Sequence, residues 1–305
     1  MSQIEPVIGA SIGLDLAAYP VSTEDAHPGD GRVSRLRYLL SHLARRPGLT
    51  LAIGWMAAVV LAAFVPRLFT PASPLAISTA IRVGPSWQHL FGTDEIGRDL
   101  FSRVVYGSSL SMRASLIAIL VGLVIGGPLG LVAGYAGGWV DAALMRLVDV
   151  LLAIPALLLS LAVIIALGFG ITNVAFAVGI AFIASSARVM RGEVLKVRQS
   201  PYVEAARAGG ARGRRVLWRH VLPNAADAVL VLAAMEFGSA ILAVSALSFL
   251  GYGVQPPAPE WGSLVADGRD YLNTAWWLTT MPGLTIVATV LAANRISRSF
   301  GRVDR

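Results

Sequence analysis

Cysteine is absent from this chain of 305 residues, and lysine occurs only at Lys196. Without cysteine the protein has neither disulfide bonds nor thiolate ligands for a metal. Val197 follows the lysine, whereas a phosphate-binding P-loop requires serine or threonine there. The chain therefore has no P-loop of its own for ATP, and its four histidines are too scattered to indicate a metal site.

Charged residues are also scarce, at 14% of the chain against about 25% in a typical soluble domain. Hydrophobic residues make up 55%. This balance is typical of an integral membrane protein, and we find no segment with the composition of a soluble catalytic domain. We assign the net charge of +7 to membrane orientation and not to nucleic-acid binding, which so apolar a chain does not favour.

Uncharged or nearly uncharged runs locate the membrane-spanning helices, each of which needs roughly 20 apolar residues. The sequence predicts six spans, with the third and fourth in one long run that turn residues at 168–173 divide. The runs are Pro47–Pro66, Ala114–Val140, Val150–Ala187, Ala228–Phe249 and a final one within Tyr271–Asn294. The predicted fold is therefore all-α, a polytopic membrane protein with six transmembrane helices.

The basic residues are distributed unevenly between the two sides of these helices. With the N-terminus in the cytoplasm, 19 of the 25 lysine and arginine residues flank the helices on the cytoplasmic side. Cytoplasmic flanks of membrane proteins carry such an excess. We therefore expect both termini and the loop 188–224 in the cytoplasm, and Trp87 and Trp261 outside.

The ends of the chain are expected to be cytoplasmic tails. Residues 1–31 are polar and lack the basic start and apolar core of a signal peptide, which indicates a partly disordered tail at 1–46. The other predicted divisions are a first helix at 47–69, an external loop with an amphipathic helix at 70–110, a core domain at 111–295 that contains the loop 188–224, and a cytoplasmic tail at 296–305.

The loop between the fourth and fifth helices has the pattern of a helix–turn–helix. Ser200 can cap a helix, Pro201 suits its first turn, and Glu204 places negative charge near its start. Gly209-Gly210 should break that helix, and a second short one would span Arg212–Leu222 and end at the next proline. We expect a compact structure outside the membrane, suited to a groove on a partner.

The spacing of Glu204-Ala205-Ala206, Gly210 and Leu222-Pro223 resembles the EAA loop of ABC importer permeases. In that family the loop docks on a separate ATPase and couples ATP hydrolysis to transport. The resemblance implies that ATP and Mg²⁺ bind to partner subunits, and that this chain has no cofactor and is not an enzyme. The implied ATPase-coupling residues are Tyr202, Glu204, Ala205, Ala206, Gly210, Arg219, Leu222 and Pro223.

The resemblance covers about residues 89–295 and is to permeases of the dipeptide, oligopeptide and nickel importer group, above all their C-type subunit. It implies the type I ABC importer fold in a bacterial inner membrane. The implied partners are a B-type permease, two cytoplasmic ABC ATPases and an external solute-binding protein. The matching segments are Phe91–Gly107, Gly130–Asp141, Met145–Val150, Leu247–Pro257 and Pro259–Ser263.

The segment Phe91–Gly107 also has the pattern of an amphipathic helix. Thr93 is suited to cap it, and Asp94 and Glu95 favour a helix start. Apolar residues recur at every fourth position from Ile96. We expect this helix at the outer surface, either as a scaffold or as a contact for the binding protein.

Glycines and prolines mark the second and third helices. Gly126, Gly127 and Gly130 allow close helix contacts, while Pro128 and Pro155 permit bending. This pattern fits either tight static packing or a moving gate.

One carboxylate, Glu236, lies inside the fifth predicted helix, near the middle of the membrane. An ionisable group at that depth is expected to face the protein interior or a water-filled cavity. Glu236 belongs either to the translocation pathway or to a structural contact, in which it is paired or neutral.

The sequence thus predicts a permease subunit of an ABC importer, forming half of the pathway for di- or oligopeptides or a similar small solute. The alternative is a secondary transporter driven by an ion gradient. Such carriers usually show internal repeats, broken helices and paired intramembrane charges. We find one clear intramembrane carboxylate and no convincing repeat, which favours the importer.

Overall fold

The computed structural model describes residues 47–300, which are helical and contain no β-sheet. The expected tail at 1–46 and residues 301–305 lie outside the described residues. The α-helices are α1 Pro47–Phe64, α2 Leu100–Ala136, α3 Gly138–Ala153, α4 Ala156–Leu167, α5 Ile171–Arg198, α6 Pro201–Ala208, α7 Gly213–Val216, α8 Leu222–Phe249, α9 Trp261–Gly268 and α10 Trp277–Phe300.

Five helical runs in residues 47–300 are long and apolar enough to cross a membrane, and the pair α3 and α4 makes a sixth if it crosses as one span. The predicted all-α membrane fold is thereby confirmed. The predicted break in the longest run is present, because α4 ends at Leu167 and α5 begins at Ile171. The Asn173 side chain fixes this break by donating a hydrogen bond of 3.0 Å to the Leu167 carbonyl.

The pair α3 and α4 is bent by 95° at Ile154 and Pro155. Ile154 is extended (φ −92°, ψ 128°), as residues before proline tend to be, and the helix cannot continue through it. On the loop side of the bend, Arg191 of α5 donates two hydrogen bonds to the Asp141 carboxylate of α3, at 2.5 and 2.6 Å. The bend therefore lays α3 against α5.

The backbones of α2 and α5 are in direct contact where these two helices pack together. A Cβ atom at Gly126 would overlap the carbonyl oxygen of Ile183, and one at Gly130 would overlap that of Ala187. Small residues at helix-turn spacing allow such close approach in membranes. The glycines that α2 places in this seam are Gly122, Gly126, Gly130 and Gly134.

The second membrane helix begins earlier than the sequence predicts. Asp99 caps α2 by accepting a hydrogen bond of 2.8 Å from the backbone N–H of Ser102. The prediction of a separate amphipathic helix over Phe91–Gly107 is therefore wrong, because residues up to Asp99 lie mainly in turns and the others belong to α2. Thr93 does not cap a helix, and its hydroxyl instead donates a 2.5 Å hydrogen bond to the preceding loop.

A buried carboxylate explains why the segment before α2 is not helical. Asp94, whose side chain is 2% exposed, accepts hydrogen bonds from Arg98 Nε at 2.5 Å and Arg103 Nη1 at 2.8 Å. It also accepts from the backbone N–H groups of Ile96 and Arg98. These bonds close a turn in which Gly97 has φ +84°, a conformation that favours glycine. The internal bonding supports the scaffold role for this segment.

The short helix α9 is anchored to α2 by two buried side chains. The Glu260 carboxylate accepts a hydrogen bond of 2.8 Å from the Ser111 hydroxyl, and Trp261 Nε1 donates one of 2.9 Å to the Val104 carbonyl. Both side chains are fully buried. Burial raises the pKa of the Glu260 carboxyl, and the hydrogen bonds it accepts oppose that rise. Pro259–Ser263, one of the segments that carry the resemblance, therefore fixes the connection between α8 and α10.

Candidate functional site

The polar loop after α5 forms the short helix predicted for its first half. Ser200 is extended (φ −75°, ψ 145°), and Pro201 is the first residue of α6. Glu204 lies in the first turn, where negative charge is favoured. The predicted side-chain cap is wrong, because the Ser200 hydroxyl donates to the Val197 carbonyl at 2.5 Å and not to α6.

The helix α6 ends at the predicted glycine pair. Gly209 is its C-cap, and Gly210 has φ +78°, in the left-handed region that favours glycine. The Ala211 N–H then bonds to the Ala206 carbonyl at 3.1 Å and closes the helix end. Within residues 47–300, apart from its two chain neighbours, no atom lies within 4 Å of a Cβ added at Gly210, so glycine is needed there for its backbone angle and not for space.

Buried valines fasten the loop to the membrane helices. Val203 of α6, Val216 of α7 and Val221 are completely buried. They belong to one cluster with Val194 and Val197 of α5. Because apolar packing holds both halves of the loop, α6 has a fixed orientation relative to α5.

The predicted coupling residues of α6 and its end lie largely on one outward surface. Tyr202, Glu204, Ala205 and Gly210 are exposed, and Ala206 is half-buried against the valine cluster. Ala205 and Gly210 are small, so another backbone can approach closely at these two positions. We name the exposed residues Tyr202, Glu204, Ala205 and Gly210 the α6 face.

The second half of the loop departs from the prediction. Arg219, Leu222 and Pro223 lie in one helical run, Gly213–Phe249, which passes from the loop into the membrane. The predicted helix end at the proline is therefore wrong. A π-helical turn at Leu217–Val221 precedes it, and the Leu222 N–H bonds to a carbonyl five residues back. This wider turn accommodates a proline that has no N–H to donate.

Besides the valine cluster, a pair of rings joins the two halves of the loop. Tyr202 of α6 lies beside His220, with ring centroids 6.5 Å apart. Arg219 and Pro223 are exposed, whereas Leu222 is half-buried and lines an apolar groove. The structure therefore places Leu222 apart from the α6 face.

Glu236 lies in α8, about 20 Å from Pro223 at about 1.5 Å per residue. Its half-buried carboxylate interacts with the Ser185 hydroxyl of α5, a partner that the sequence did not indicate. Met235 and Ser239, on the adjoining face of α8, are exposed. Glu236 thus sits at the edge of the α5–α8 contact, beside an open surface.

Comparison with known proteins gives a consistent result. The family described as "Binding-protein-dependent transport system inner membrane component" matches residues 126–302. The dipeptide transport system permease protein DppC of Alkalihalophilus pseudofirmus is 39% identical over 239 residues, covering 78% of each chain. The glutathione transport system permease protein GsiD of Pectobacterium atrosepticum is 38% identical over 281 residues, covering 92% of each chain. The di/tripeptide transport system permease protein DppC of Pseudomonas aeruginosa is 43% identical and covers 69% of this chain and 71% of its own.

Two solved structures share the fold. A subunit of an amino acid ABC transporter has a TM-score of 0.54 at 16% identity, covering 67% of this chain and 95% of its own. A subunit of the MetNI methionine ABC transporter has a TM-score of 0.52 at 18% identity, covering 65% and 95%. At this identity the likeness concerns the fold alone.

Proposed function

This chain belongs to the family of binding-protein-dependent transport system inner membrane components and is a membrane-spanning permease subunit of an ABC importer; from this premise we propose that it moves short peptides inward. The relatives named for dipeptide, glutathione and di/tripeptide transport support this cargo class. The same matches support ATP-driven import and lend no support to an ion-gradient carrier.

The observation that carries the coupling mechanism is the α6 face, an exposed surface on a helix that buried valines hold in place. We propose that an ATPase subunit binds this face, so that ATP and Mg²⁺ act on partner chains and this chain needs no cofactor. A B-type permease would form the other half of the pathway, a second ATPase would bind that subunit, and an external binding protein would deliver the peptide. The test of the coupling contact opens the Discussion.

For the pathway we propose that Glu236 receives the ammonium group of a peptide. A carboxylate within a membrane helix is costly unless it faces the interior or water. Within residues 47–300, the Ser185 hydroxyl lies near the Glu236 carboxylate and donates a hydrogen bond of 3.0 Å to the Phe182 carbonyl, and Glu236 has no lysine or arginine partner. A hydroxyl leaves the negative charge available, so a cationic cargo group can approach it from the exposed side near Ser239.

We expect Glu236→Gln to lower kcat/KM for uptake of an unmodified dipeptide about tenfold, which corresponds to about 1.4 kcal/mol of lost interaction. The amide keeps the shape and the contact with Ser185 but removes the charge. Uptake of the N-acetylated dipeptide should change little, because that cargo has no ammonium group. The measurement is uptake of both cargoes into proteoliposomes that contain the complete transporter.

Asp227→Asn is the matched control, because it removes an exposed carboxylate from the same helix. It should leave the ratio of the two uptake rates unchanged. Equal losses for both cargoes in Glu236→Gln would reject the ammonium contact and leave a structural role for Glu236.

We also propose that the loop carrying α6 is cytoplasmic. Because the chain has no cysteine, single cysteines can be introduced without background. Trp87, which is 97% exposed, should label as Trp87→Cys in intact cells. Asn224→Cys should label with a membrane-impermeant reagent only after the membrane is opened. The reverse pattern would overturn the orientation and remove the α6 face from the ATPase side.

A further inference from the structure

Two cavities adjoin at Trp218 on the loop side of the helices. One, of about 660 Å³, is an apolar groove between α2 and the run Gly213–Phe249. The other, of about 780 Å³, is lined by Gly210, Arg212, Arg214, Arg215 and Trp218. Trp218 belongs to both and is 60% exposed. A ligand that filled both cavities would be apolar at one end and anionic at the other.

The groove is about as deep as one leaflet of a bilayer. Trp218, Leu222, Ala226 and Leu230 recur at every fourth position along one wall. From Trp218 to Leu230 the helix rises about 18 Å at about 1.5 Å per residue, against roughly 15 Å for half of the hydrocarbon core. The opposite wall is provided by residues between Leu123 and Ala136 of α2. This length fits an acyl chain of one leaflet.

A missing side chain helps to keep the groove open. Gly127 lies on its α2 wall, and among residues 47–300 outside its own helix turn a Cβ there would meet only Met190 Cε, at 3.8 Å. A larger residue at this position would therefore project into the groove without striking the backbone of another helix. Gly127 thus offers a way to fill the groove without altering its charge.

Aromatic residues mark the boundary between the two cavities. The Tyr135 hydroxyl donates a hydrogen bond of 2.6 Å to the Gly213 carbonyl and joins the end of α2 to the start of α7. Tyr135 and Trp218 both line the groove at this level. Tyrosine and tryptophan are enriched where hydrocarbon meets the headgroup layer. The basic cavity therefore lies at headgroup depth.

The arginines of the basic cavity are available to bind an anion. Arg212, Arg214 and Arg215 are exposed, and within residues 47–300 none of them is in an ion pair. Basic pockets beside membrane helices bind the headgroups of anionic lipids. We propose that the two cavities together bind one anionic phospholipid, with its phosphate on these arginines and an acyl chain in the groove. The proposal is independent of the peptide cargo.

Native mass spectrometry of the full-length protein in detergent tests this, with phosphatidylglycerol and phosphatidylethanolamine of the same acyl chains as probes. We expect phosphatidylglycerol to be retained more strongly. The double variant Arg214→Gln/Arg215→Gln should weaken its retention about 25-fold, or about fivefold per arginine, with little effect on phosphatidylethanolamine. Gly127→Leu should weaken retention of both lipids. Arg295→Gln/Arg298→Gln, at two exposed arginines near the end of α10, removes the same charge elsewhere and should change neither.

Three results would overturn the proposal. Equal retention of the two lipids would show that the arginines do not select a headgroup. Full displacement by inorganic phosphate, with no effect of Gly127→Leu, would indicate a free-anion site. Loss of the lipid when the ATPase subunits are added would assign the arginines to a protein interface. The thermal unfolding midpoint of each variant confirms that it is folded: the arginines are exposed, and Gly127 is buried but borders the groove, which gives a larger side chain room.

Discussion

Replacing Ala205 by arginine is expected to lower peptide uptake at least tenfold while the membrane helices remain inserted. Ala205 is exposed on the α6 face, and α6 is held by buried valines, so the new side chain cannot be accommodated by a shift of the loop. It would therefore strike the bound ATPase, and a tenfold loss corresponds to about 1.4 kcal/mol. The measurements are ATPase copurification, ATP turnover and uptake on the same preparation.

Ala76→Arg is the matched control, because Ala76 is an equally exposed alanine in the segment between α1 and α2. It should retain normal ATPase binding. Gly210→Val gives an independent test, since valine at φ +78° is strained by about 1–3 kcal/mol without any new contact. Normal uptake in both Ala205→Arg and Gly210→Val would show that α6 is not the coupling element, and the role proposed for it would fall.

The second large effect is expected for Asp94→Ala, which should lower the free energy of unfolding by about 3–5 kcal/mol. The side chains of Arg98 and Arg103 are 8% and 3% exposed, and both lose their short bond to the carboxylate. Among the ion pairs of residues 47–300, Arg98 would keep only its bond of 3.2 Å to Glu95, and Arg103 only Asp267 at 3.8 Å. Removing the main partner of two buried charges is strongly destabilising. For a chain of this size the midpoint of thermal unfolding in detergent should fall by about 10 °C.

Glu95→Ala is the neighbouring control. Its side chain is 29% exposed and accepts one bond of 3.2 Å from Arg98, a surface pair worth about 0–1 kcal/mol. Its midpoint should therefore stay close to that of the wild type. A similar, small change in Asp94→Ala and Glu95→Ala would mean that the Asp94 cluster does not hold the segment before α2.

The presence of each membrane helix can be predicted from the sequence, because a membrane span has few charged residues. The residues at which a helix begins and ends depend on local hydrogen bonds and are harder to predict. The apolar run near Ala114 marks the second span, but the helix starts at Leu100, where Asp99 supplies the cap. Asp94 is a residue type that is favoured at the start of a helix. Its carboxylate instead accepts hydrogen bonds from two buried arginines and lies in a turn. The helix propensity of this segment was overridden by hydrogen bonds to arginines that reach Asp94 only in the folded protein.

The coupling loop shows the same division. The start of α6 at Pro201 and its end at Gly209-Gly210 follow from residue type and were confirmed, whereas the Ser200 side chain does not cap the helix. The stop at Pro223 was wrong, because the π turn that lets the helix continue has no evident signal in the sequence. The position of Glu236 within an apolar helix follows from the sequence, but its proximity to Ser185 depends on the register of α5 against α8.

The glycine seam between α2 and α5 has a mechanical consequence. Where one backbone touches another at Gly126 and Gly130, no layer of side chains is present to absorb sliding or rotation. We therefore expect α2 and α5 to move together as one rigid unit. Only Gln199 and Ser200 separate α5 from α6, so α6 is connected directly to this unit. We therefore expect a displacement of α6 to be transmitted through α5 to α2, because the backbones of these two helices are in direct contact.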